Sequence, residues 1–115
     1  MSNYYNEQAF FQSWRKGVQI AGPRWFGTGC NLSSAESKWD LEPRVDDITE
    51  ALGYLSSTER VFLAAMVSFY NDLTGGRLLQ RAVGSKSVGM ADIAASLDEP
   101  RRRVITDLML SYCGW

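Results

Sequence analysis

The stretch Ser56-Ser57-Thr58-Glu59-Arg60-Val61-Phe62-Leu63-Ala64-Ala65-Met66-Val67-Ser68-Phe69-Tyr70 decides the fold class. Ser56 stands three residues before Glu59, the spacing at which a hydroxyl accepts a bond from the amide ahead of it while the carboxylate reaches back to its own. A helix therefore starts there. From Val61 to Tyr70 its side chains are apolar on nearly every side, the pattern of a helix enclosed by others rather than one lying on a surface. The expectation is an all-α bundle built around a central helix over about residues 57–71.

Toward the N-terminus, Val45, Ile48, Leu52 and Leu55 repeat at 3-4-3 spacing, with Asp46, Asp47 and Glu50 on other faces. That is an amphipathic helix with acid near the favourable end of its dipole, and Gly53 ends it. A first helix is expected from about Glu7 to Ile20, with Asn6 as its cap and Phe11, Trp14 and Val18 along one face. Gly22-Pro23 stops it, because proline lacks the amide a helix interior needs. Residues 21–43 then lose periodicity yet hold Trp25, Phe26 and Trp39, too aromatic for a passive linker.

Toward the C-terminus, Asn71-Asp72 and Gly75-Gly76 read as the close of the central helix. Leu78, Leu79, Ala82 and Val83 suggest a short helix ended by Gly84, and Ser87 or Gly89 to Leu97 another, with Met90, Ile93, Ala94 and Leu97 inward. Asp98 caps a final helix whose first turn holds Glu99 and Pro100, where proline is tolerated, and whose buried face is Val104, Ile105, Leu108 and Tyr112. Trp115 reads as a packed anchor. The sum is five or six short helices in one domain over residues 1–115.

Composition narrows function by exclusion. The 115 residues contain no histidine, which removes imidazole general bases, Ser-His and Cys-His pairs and imidazole-based zinc sites. Gly27-Thr28-Gly29-Cys30-Asn31-Leu32 opens like a phosphate turn but follows no strand and lacks a third glycine and a Lys-Ser/Thr pair. Asp46 and Glu50 share a helical face without further ligands. No enzyme, cofactor or metal is expected. Cys30 and Cys113 form no Cys-x-x-Cys arrangement and are read as reduced thiols. The opening Met1–Glu7 lacks the basic and apolar regions of a signal peptide, and Val61–Tyr70 is about half the length of a membrane span. A cytoplasmic chain with no membrane partner is expected.

The formal net charge of −1 averages unlike parts. Residues 1–43 are neutral, 44–72 are acidic, and 73–115 carry six basic against four acidic groups. Arg77, Arg81, Lys86 and the triplet Arg101, Arg102 and Arg103 could converge on an acidic partner. Around the triplet, residues 87–112 resemble a generic helix-turn-helix, with Ala94 at the helix crossing, Leu97 three later and Val104 ten later. The resemblance implies a recognition helix presenting the arginines to phosphates and base edges. Asp98, Glu99 and Asp107 depart from that pattern at the turn and in the second helix.

Tryptophan and arginine are enriched at the energetic centres of protein interfaces, so Arg24, Trp25, Phe26 and Trp39 form a second candidate contact set beside Arg77, Arg81, Arg101, Arg102 and Arg103. The expectation is a small regulator, adaptor or inhibitor that binds a protein partner or associates with itself. The alternative is a DNA-binding regulator using residues 87–112.

Overall fold

A computed structural model describes residues 3–27 and 32–115. Six α-helices follow in order: α1 (Asn3–Ala21), α2 (Val45–Ala51), α3 (Ser57–Tyr70), α4 (Asp72–Val83), α5 (Met90–Ser96) and α6 (Glu99–Ser111). Three 3-10 turns, Pro23–Trp25, Leu32–Ser34 and Lys38–Leu41, lie between α1 and α2.

The central helix forms where its capping box places it. Ser56 Oγ accepts from the Glu59 amide at 3.2 Å, and Glu59 Oε1 accepts from the Ser56 amide at 3.0 Å. Val61 through Val67 are all buried, and α1, α4, α5 and α6 each pack on α3. Hydrogen bonding to the carboxyl from the Ser56 amide first and then from its side chain, aided by the positive charge of Arg101, holds Glu59 below the ordinary glutamate range. A lowered folded-state value means that the cap contributes fully above the unfolded-state pKa and is lost as pH falls through the folded one. Carbon-detected NMR titration should find Glu59 below 4.5, and Ser56→Ala should raise it.

Asn71 ends α3 and at once caps α4, its side chain accepting from the Thr74 amide at 3.0 Å. Gly75-Gly76 therefore lies inside a helix rather than closing one, which corrects the sequence expectation. The reason is steric. A Cβ at position 75 would sit 2.6 Å from the Ser68 Cβ and nearer still to the Ser68 backbone. The absence of a side chain lets α3 and α4 lie backbone to backbone. Arg60 locks the far end of this pair, its Nε donating to the Ala82 carbonyl at 2.8 Å, one of the last four carbonyls of α4 that lack a helical donor. Gly84, at φ 81, supplies the left-handed residue that stops α4.

α1 packs antiparallel to α6 along Phe10, Phe11, Trp14 and Val18, all buried. It begins at Asn3, so Asn6 lies within the helix and does not cap it. The aromatic segment folds back on this core. The Gly27 amide donates to the Glu42 carbonyl and the Arg44 amide to the Trp25 carbonyl, a single antiparallel bridge around Phe26 and Pro43. Trp14 Nε1 donates to the Leu41 carbonyl at 2.8 Å from a fully buried position.

Trp115 closes the same end of the bundle, its ring meeting those of Phe10, Trp14, Trp39 and Tyr70 at 4.8–6.0 Å. The buried Lys38 ammonium donates to the Gly114 carbonyl at 2.9 Å and lies 5.3–5.8 Å from the rings of Phe10, Trp39 and Trp115. A buried ammonium is thus compensated by a carbonyl and three π faces rather than by a carboxylate. Tyr70 beside it donates to Glu42 at 3.4 Å, and burial together with the Glu42 charge pushes the phenol above its usual pKa.

Two further expectations change. Tyr112 is half exposed, although its ring still meets Phe10 and Phe69. On α5, Met90 and Ala94 face solvent and Ile93 is half-buried, leaving Leu97, just past the helix, as the buried anchor. No helix among the described residues is long and apolar enough to cross a membrane.

Candidate functional site

The sequence-selected residues fall into three groups with different fates. Trp25 and Phe26 are 6% and 4% exposed and belong to the core, Phe26 meeting Trp14 edge to face at 5.7 Å. They are not a contact surface. The 3-10 turn at Pro23–Trp25 turns two adjacent rings inward, something no helical period would indicate. Arg24 stays exposed, stacked on the Trp25 ring at 4.2 Å and donating to the Tyr54 hydroxyl at 3.3 Å. Trp39 is 56% exposed, with Trp115 and Lys38 against its ring.

The arginine triplet is engaged within the fold. Arg101 pairs with Asp98 and lies over the Phe62 ring at 5.7 Å, and Arg103 pairs with Glu99 at 2.8 Å. Arg102 Nε donates to the carbonyls of Ala94 and Leu97 at 2.9 and 3.0 Å. These are carbonyls at the end of α5, where helical partners run out, so Arg102 ties that end to α6. Ala94 is exposed rather than seated at a helix crossing, and α5 packs chiefly on α3 while α6 packs chiefly on α1. Arg102→Ala should leave global unfolding nearly unchanged while hydrogen exchange at residues 90–97 speeds by roughly tenfold, the equivalent of one exposed charged hydrogen bond.

Arg77, Arg81 and Lys86 behave differently. Leu73, Arg77 and Arg81 are spaced four apart and share a face of α4. The amides of Gly84 and Ser85 both donate to the Gln80 carbonyl, and Gln80 Nε2 donates to the Lys86 carbonyl at 3.0 Å. This folds the α4–α5 connection over the helix end. Arg77 and Lys86, though not Arg81, border a groove of about 430 Å³ between α4 and α5. Leu73, Leu79, Val88 and Ile93 supply its apolar surface, and Gly76 leaves a gap in the middle of the α4 wall. Asp72 is its one carboxylate. Leu73 is 63% exposed and Met90, at the start of α5, 59%.

Arg102 and Arg103 line a separate depression with Glu99, Thr106 and Asp107. The sequence reading selected Arg77 but missed Leu73, Val88 and the role of Gly76. Asn71 was the available signal, since taking it as a helix cap carries α4 through both glycines and puts Leu73 one turn before Arg77.

The groove is large enough for a small molecule but lies open, and it lacks the convergent polar groups that fix one. No cluster of three or more cysteine, aspartate and glutamate side chains among the described residues could hold a metal ion. Cys113 is an exposed thiol. Cys30, and the Thr28–Asn31 part of the phosphate-like turn, lie outside the described residues. Compared with protein-family models, curated proteins and solved structures, the chain matches none.

Proposed function

We propose that this protein acts by binding another protein, and that the groove between α4 and α5 is its contact surface. One observation carries this reading: Leu73 stays exposed next to half-buried Val88 and Ile93, beside Arg77 and Lys86, which form no ion pair among the described residues. Apolar surface left in water costs about 25 cal/mol per Å² relative to burial, so such a surface is available to whatever covers it. An adaptor or inhibitor role follows, with recognition rather than chemistry as the activity.

The test is selection from a fully randomised displayed peptide library against the folded protein, with binders mapped by amide NMR shifts. Binders that perturb Leu73, Arg77, Val88 and Ile93 are expected. Binders that map elsewhere, or no binders at all, would sink the proposal.

The DNA-binding alternative lacks a comparable observation, because Arg101 and Arg103 are paired with Asp98 and Glu99 and Arg102 Nε is engaged by carbonyls at the end of α5. A salt-steep mobility shift of duplex DNA, lost on replacing the triplet, would favour that alternative instead.

A further inference from the structure

Building on the groove as contact surface, we infer that its occupant is an amphipathic helix of another protein, which sets a large apolar side chain over Gly76 and acidic side chains one turn to either side. Three features of the groove support this.

The first is the shape of the α4 wall. Leu73, Gly76 and Leu79 follow at three-residue steps, so they form one ridge on α4. The middle of that ridge has no side chain. Nothing lies within 4 Å of where a Gly76 Cβ would be, in contrast to Gly75 beside it, which is filled by Ser68. Gly75 is explained by internal packing and Gly76 is not. A gap between two leucines on a helix is the shape that accepts a knob from a second helix.

The second is the chemistry of the walls. The long wall is the α4 helix, faced by the connection through Lys86 and Val88 and by Ile93 of α5, and among the described residues there is no strand edge against which an extended peptide could add. The lining part of α4, residues 72–80, is about 13 Å long at 1.5 Å per residue, matching between two and three turns of a docked helix.

The third is charge. Arg77 follows Gly76 directly, and Lys86 lines the groove from the connection, against Asp72 alone. No described carboxylate forms an ion pair with either. A partner with glutamate or aspartate three or four residues from its knob meets these cations at the groove margin, where complementarity governs which partner is accepted.

The probe is a displayed library of helical peptides with leucine fixed along one face and glutamate or lysine randomised at the flanking positions. Glutamate should be enriched in the bound pool. A synthetic peptide of the winning sequence should bind at least about tenfold more weakly in 0.5 M than in 0.05 M sodium chloride, because marginal charges are screened. Gly76→Leu should weaken that peptide at least about tenfold by filling the gap, with unchanged far-ultraviolet circular dichroism and no loss of thermal stability. The double variant Arg77→Glu, Lys86→Glu should enrich lysine instead. Lysine enrichment, no charge preference or an empty pool with the native protein overturns the inference. So does full binding by the Gly76→Leu protein. Concentration-dependent NMR shifts confined to the groove without peptide would assign it to a second copy and likewise overturn it. Groove binders from the fully random library that carry no acid would leave protein binding standing while this inference falls.

Discussion

Gly75→Ala should destabilise the protein by about 3 kcal/mol or more, toward the upper end of overpacking effects, and lower the melting temperature on the order of 10–15 °C. One methyl group is enough because of what it meets. The added Cβ would overlap the backbone of Ser68, and backbone cannot rotate away as a side-chain end does. The two helices must separate, and doing so opens the packing around Leu78, Ala82 and the Arg60 bond to the Ala82 carbonyl. Gly76→Ala, one residue on, is the internal control. It meets nothing and sits in a helix interior, where alanine is favoured over glycine by about 0.5–1 kcal/mol. Urea unfolding of the two variants should therefore give changes of opposite sign. Equal effects would mean that the α3–α4 contact is looser than described.

Trp14→Ala should cost about 4 kcal/mol, within the range for truncating a buried large aromatic. The indole is fully buried, stacks with Phe10 at 5.9 Å, meets Phe26 and Trp115 edge-on, and holds the Leu41 carbonyl. Its loss leaves a cavity and an unsatisfied acceptor at the point where α1, the aromatic segment and Trp115 meet. Trp14→Phe separates the two contributions: it retains most of the ring but loses the donor, and should cost about 1–2 kcal/mol. With total stabilities of small domains at about 5–15 kcal/mol, the alanine variant should also release the Trp115 ring. A red shift in tryptophan emission well below the unfolding midpoint would report that release.

The parts of this fold legible in the sequence were those fixed by local spacing. The Ser56/Glu59 box, the Asp98 cap and the apolar run of α3 each need only residues within a turn or two, and all three stand where spacing put them. The ion pairs of Arg101 with Asp98 and Arg103 with Glu99 are likewise i,i+3 and i,i+4 relations. What escaped depends on contacts distant in sequence. Gly75 reads as a helix breaker by propensity and becomes a helix interior only because Ser68 lies against it. Trp25 and Phe26 read as candidate contact residues because their burial follows a tight turn rather than a period. Arg102 looks free until α5 and α6 fold back to offer it two carbonyls. The groove was illegible for the same reason, since Leu73 and Ile93 come together only after α4 is continued through both glycines and α5 is laid alongside.

The backbone contact at Gly75 has a mechanical consequence. Of the two walls of the groove, α4 cannot slide or turn against α3 without collision, whereas α5 has no fully buried residue of its own and is held by its packing on α3, by Leu97 and by the Arg102 bonds. A variant that loosens α5 should therefore weaken ligands of different sequence alike, because each would bear the same cost of fixing that wall.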